Sequence, residues 1–69
     1  MEIVVKRNVY AGILAVRDSG LTNMLDRQAV ARIAKRMGFT EAATWCDDVA
    51  NRKAYAEGIF RGFKPADEV

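Results

Sequence analysis

Apolar positions recur along this chain at helical spacing, separated by short polar punctuation. Val9, Ile13 and Val16, with Tyr10 and Leu14 beside them, predict a first helix from about Val5 to Asp18. Ser19-Gly20 is expected to end it, with Leu21 placed for the hydrophobic contact of a Schellman closure. Val30, Ile33, Ala34 and Met37 mark a second helix. Asp26 serves as its N-cap, Leu25 as a staple against Val30, and Gly38 as its stop. Thr40 is expected to cap a third helix, with Glu41 in its first turn and Ala42, Trp45, Cys46 and Val49 as its inner stripe.

Beyond that stripe the pattern divides. Asn51 can cap a separate fourth helix carrying Tyr55, Ile59, Phe60 and Phe63, or the stripe runs on unbroken with only Arg52 out of place. Two helices with a tight bend at Asn51 are expected. Ile3-Val4-Val5 suits a strand by its β-branching. With no second strand pattern to pair with, it is expected to be an extended arm or the helix's first turn. Pro65 falls in the polar stretch KPADEV, expected to fray. The fold class predicted is all-α, a small three- to four-helix bundle. It forms one helical domain over 1–69, with 1–4 and 64–69 frayed or extended. Its expected core holds Ile13, Val30, Ile33, Trp45, Val49 and Ile59.

Composition narrows the function classes. Of the 69 residues, 51% are hydrophobic and 29% charged, a globular balance. There is no histidine, which removes the commonest general base and the commonest metal ligand. The single cysteine, Cys46, has no histidine to activate it and reads as a small buried hydrophobe. No glycine-rich phosphate loop and no metal-ligand spacing is present. Asp47 and Asp48, adjacent on a helix, point about 100° apart and form no carboxylate pair. The expectation is a protein that is not an enzyme, with no cofactor and no metal. No apolar run nears the roughly 20 residues that span a bilayer, so no membrane partner and a cytoplasmic location are expected.

Charge supplies the candidate site. The formal net charge is only +2, but Arg32, Lys35 and Arg36 share the outer face of the second helix, extended by Arg27 and Gln28. A solubility surface ordinarily intersperses signs, so this face is either a solvated basic surface or, on the sharper reading, a contact for phosphates or an acidic protein surface. In the preceding loop, Thr22 and Asn23 are expected to bond the local backbone and hold Met24 outward as an apolar anchor. The candidate binding residues are therefore Met24, Arg27, Arg32, Lys35 and Arg36.

ARIAKRMGFTEAATW is similar to the opening of a DNA-binding helix-turn-helix. The positions where that motif buries aliphatics fall here on Thr44 and Asp47, and burying Asp47 unpaired costs several kcal/mol. Glu41, Asp47 and Asp48 on the second helix of the corner also oppose phosphates. A helix-turn-helix-like corner is expected, with a DNA-binding regulator as the alternative function. Nucleic acid is not the favoured partner.

The run ILAVRDSGLTNMLDRQAVARIAKRMGF, with NRKAYAEGIFRG downstream, resembles a family of very short bacteriophage and prophage proteins of unknown function. The pattern is an R-x-S-G-x-T-N-M-x-D segment, met by Arg17, Ser19, Gly20, Thr22, Asn23, Met24 and Asp26. An A-V-x-R-I-A helix, a glycine, a late tyrosine and an I-x-x-G ending follow. Ala29, Val30, Arg32, Ile33, Ala34, Gly38, Tyr55, Ile59 and Gly62 meet these. AATWCDD departs from it, since large aliphatics are commoner there. The resemblance brings no catalytic residue or ligand. It implies a small cytoplasmic protein acting during infection or lysogeny. In that context the expectation is non-enzymatic binding, as monomer or homodimer, to a host or defence-system protein or nucleoprotein, with inhibition as one form of it and a structural or assembly role as another.

Overall fold

In the computed structural model, which describes residues 1–66, two terminal strands bracket four helices. β1 is Ile3–Val5, α1 Arg7–Ser19, α2 Arg27–Arg36, α3 Thr40–Asp47, α4 Arg52–Arg61 and β2 Phe63–Pro65, with a 3-10 turn at Val49–Asn51. The protein is a small, mostly α bundle, and its sheet is a single parallel pair.

That pair corrects the expectations for both ends. Ile3 lies opposite Phe63, Val4 opposite Lys64 and Val5 opposite Pro65. Parallel strands need a crossover connection, and here the whole helical domain supplies it. Residues 3–5 and 63–65 are thus paired and Ala66 is bonded to Val5, while Met1 and Glu2 precede the strand and 67–69 lie outside the described residues. The strand also moves the start of α1 to Arg7, because the Val5 carbonyl accepts the Ala66 N–H at 2.8 Å.

Ile13, Val9 and Val16 of α1 pack against Val30, Ala31 and Ala34 of α2 and Ala42, Ala43 and Cys46 of α3. The small side chains let the helices approach closely. A Cβ on Gly12 would collide with the Cβ atoms of Ala42 and Phe39, so only glycine fits there. Of the expected core, Ile13 and Val30 are buried, whereas Ile33, Trp45 and Ile59 are half-buried and pack on its margin. Val49 is 71% exposed, a correction. Asp48 adopts an extended backbone that stops α3, and the 3-10 turn carries Val49 out of the stripe.

The split between α3 and α4 is as expected, but the break falls at Asp48. Its carboxylate accepts the Ala50 N–H at 2.9 Å. Asn51 makes no capping bond; its side-chain amide donates to the Trp45 carbonyl at 3.1 Å, fastening the turn to α3. Phe60 is exposed, and Phe63 belongs to β2. Thr40 likewise does not cap α3: it is the first helical residue, and Phe39 precedes it without a side-chain bond.

The α2–α3 corner follows local rules closely. Asp26 Oδ1 accepts the Ala29 N–H at 3.1 Å. At the other end Gly38 takes φ +91, its N–H donates to Lys35 and the Phe39 N–H to Ala34, a full Schellman closure. Met37, expected on the inner stripe, is the exposed C-cap instead. Thr44 and Asp47 are exposed, while Ala42, Ala43 and Cys46 turn inward.

Candidate functional site

The outer face of α2 carries Arg32, Lys35 and Arg36, all exposed, with Gln28 one turn earlier. Lys35 and Arg36 in the last turn interact favourably with the helix dipole; Arg32 sits too far from the end to share that benefit. Arg32 and Lys35 form one wall of an open cleft of about 550 Å³, and Asp47 and Asp48 stand on the opposite, α3 side. No carboxylate reaches ion-pair distance of these cations among the described residues, where Arg17 with Asp18, at 3.7 Å, is the ion pair formed.

Two other sequence-predicted site residues are placed differently. Arg27 is half-buried, and its guanidinium donates to the Cys46 carbonyl, near the C-terminal end of α3 where a cation is favoured. It joins α2 to α3 and is not part of the free basic face. Met24 is half-buried too, with its side chain packed on the core rather than projecting outward. Its carbonyl accepts the Tyr55 hydroxyl, which ties the loop to α4. A buried phenol needs such an acceptor, and this pairing of residues 31 apart carries no local sequence signal.

The loop does use its own side chains. Asn23 Oδ1 accepts the Leu25 N–H at 2.9 Å, and the Asn23 carbonyl accepts the Asp26 N–H at 2.9 Å, so the chain turns into the cap of α2. This turn leaves Leu25 62% exposed, so it does not staple Val30. Leu21 is exposed as well: its N–H is taken by Ser19 Oγ at 3.2 Å, and the hydrophobic closure expected after Gly20 does not form. The loop's outward apolar groups are these two leucines.

Beneath the loop, burial pushes the Cys46 thiol up to about 11, although Arg27 pulls the other way. Burial also raises the Tyr55 phenol, reinforced by Cys46 and Asp26 and opposed by Arg27. Both stay protonated at neutral pH, which suits Tyr55 as a donor and leaves Cys46 without thiolate character. No helix among the described residues is long and apolar enough to cross a membrane.

The family model described as Domain of unknown function (DUF5049) matches residues 5–63. No curated protein and no solved structure matches the chain. That match runs from the last residue of β1 through all four helices to the first residue of β2, and the chain belongs to the DUF5049 family.

Proposed function

We propose that this protein is a non-enzymatic binding protein whose α2 face docks on an acidic protein or nucleoprotein surface. The observation that carries the reading is the exposure of Arg32, Lys35 and Arg36 on one face with no carboxylate in ion-pair reach among the described residues. Charge-assisted bonds to carboxylates or phosphates are the contacts such a face makes best. With Met24 turned inward, the apolar part of the contact falls to Leu25, exposed immediately before the α2 cap. The T-N-M-x-D segment supports a phage setting, in which the protein inhibits a host or defence-system protein in the host cytoplasm. DNA reading by α3 is the weaker alternative, because that helix presents exposed Glu41 and Asp47 where phosphates would lie.

Capture from host lysate, with and without nuclease, tests this. A nuclease-resistant partner released by raised salt is expected. Arg32→Glu with Arg36→Glu abolishes its capture while circular dichroism stays unchanged. Capture that survives the double reversal overturns the basic face as the contact, and capture lost to nuclease alone favours the nucleic-acid alternative.

A further inference from the structure

The two-stranded sheet has one edge that is blocked and one that is free. In a parallel ladder the residues that bond the neighbouring strand alternate. The Ile3 N–H donates to Gly62 and the Val5 carbonyl accepts from Ala66, so Ile3 and Val5 face β2, and the N–H and C=O of Val4 point the other way. On the far side of β2, Pro65 has no N–H to offer a further strand. The β1 edge has no such guard. It opens onto a groove of about 510 Å³ bordered by Val9, Thr44, Trp45 and Asp48. Val4 itself is 60% exposed.

The sequence around that edge is complementary to itself. Antiparallel pairing about Val4 sets Val4 against Val4 of a second copy, Ile3 against Val5, and Glu2 against Lys6. Each copy contributes one charge of each sign, so two opposite-charge pairs flank one valine pair. Glu2, Val4 and Lys6 are all exposed and alternate with the inward Ile3 and Val5, so the three pairs fall on one solvent-facing surface. Backbone groups match too. The two Val4 residues exchange N–H···O=C bonds, and each Lys6 N–H, in extended conformation with φ −57 and ψ 150, reaches the Glu2 carbonyl of the second copy. The Lys6 carbonyl, already accepting from Tyr10 inside the chain, is not required for these bonds.

We propose that a second copy of this chain docks on the β1 edge by antiparallel pairing about Val4, giving a two-fold dimer with a four-stranded sheet ordered β2-β1-β1-β2. Isologous pairing of this kind closes on itself and leaves β2, with Pro65, as the outer strand on both sides. The pairing uses Glu2, Val4 and Lys6 and none of the α2 cations. The β1 groove and the basic cleft meet along α3 at Thr44 and Asp48, and the charge swaps at residues 2 and 6 test the dimer without altering the basic face.

Sedimentation equilibrium of the full chain over a range of concentrations tests the pairing. The wild type is expected to show a monomer–dimer equilibrium. Lys6→Glu opposes two glutamates on each side of the valine pair and is expected to weaken dimerisation about tenfold. Glu2→Lys does the same with two lysines, and Glu2→Lys combined with Lys6→Glu restores the wild-type constant. Val4→Pro removes the outward N–H, which β2 does not use, and leaves a monomer with its helical circular dichroism retained. A dimer indifferent to the charge swaps overturns this interface. A chain monomeric at every concentration also overturns it, leaving the edge to an extended segment of another protein.

Discussion

The α2–α3 corner and the β1–β2 closure are both held by hydrogen bonds to the backbone, but the bonds span very different lengths of chain. At the corner, Asp26 reaches Ala29, Lys35 receives Gly38, and Ala34 receives Phe39. At the closure, Ile3 donates to Gly62, Ala66 donates to Val5, and Arg7 donates from Nε to the Ala66 carbonyl. Closing a long loop carries an entropy cost that short-range bonds escape. A three-residue parallel pair cannot offset that cost alone, so the closure depends on side chains. Phe63 provides them. Its ring stands edge-on to Trp45 at 6.0 Å, lies 5.9 Å from Tyr55, and fills the space above Gly58 where a Cβ would collide with it. The corner is specified residue by residue; the closure is specified by one aromatic cluster.

The largest effect should follow from removing that ring. Phe63→Ala strips the sheet of its side-chain support and should cost about 3 kcal/mol. A core of this size supplies only about 3–5 kcal/mol in all, so the variant should be largely unfolded or melt many degrees earlier. Urea unfolding followed by Trp45 fluorescence measures it directly, since Phe63 is in contact with the indole. A loss under about 1 kcal/mol would mean that the strands hold without the aromatic cluster.

The same contrast governs what the sequence made legible. Helical spacing locates α1, α2 and α3 but leaves one helix or two open beyond Trp45, and the α2 cap and its terminal glycine are readable because each signal and its partner lie within a few residues. The β1–β2 pair is not, because FKP is only three residues long and contains a proline, and its partner sits at the opposite end of the chain. The proline is tolerated because no ladder bond needs its N–H. Val49 departs from the expected stripe for a related reason: the apolar spacing runs past Asp48, whose side chain starts a new turn instead of continuing α3. In the candidate site, Arg32, Lys35 and Arg36 lie on the exposed face that the spacing implied. Arg27 and Met24 were unreadable because their partners, the Cys46 carbonyl and Tyr55, are distant in sequence.

A smaller effect should separate the two glycines that neighbouring elements press against. Gly12→Ala drives a Cβ into the Cβ of Ala42, an atom fixed to the α3 backbone, so the helices themselves must move. The expected loss is about 2 kcal/mol from overpacking. Replacing Ala42 by glycine in the same chain should recover part of it. Gly58→Ala meets the end of the Phe63 ring, which can yield by giving up part of its contact with Trp45 and Tyr55 while both helix backbones stay in place. Alanine gains about 1 kcal/mol of helix propensity over glycine at both positions, so the difference between the two losses reads the steric term alone, and the loss at Gly58 should fall below that at Gly12. Equal losses would show that the closure is as rigid as the corner.

The smallest effect tests how local the corner is. Asp26→Ala removes the acceptor for the Ala29 N–H, and cap removal of this kind costs about 1 kcal/mol. The loss should not grow further, because the Val30 N–H bonds the Asp26 backbone carbonyl, which alanine keeps. The Asn23 side chain holds the turn before the cap through the Leu25 N–H, independently of the carboxylate. Asp26→Asn, which retains a side-chain oxygen, should recover most of the stability. Urea midpoints of the two variants against the parent measure this. If Asp26→Ala costs as much as Phe63→Ala, the cap is coupled through Arg27 and Tyr55 to the rest of the fold, and the corner is not the self-contained unit its hydrogen bonds describe.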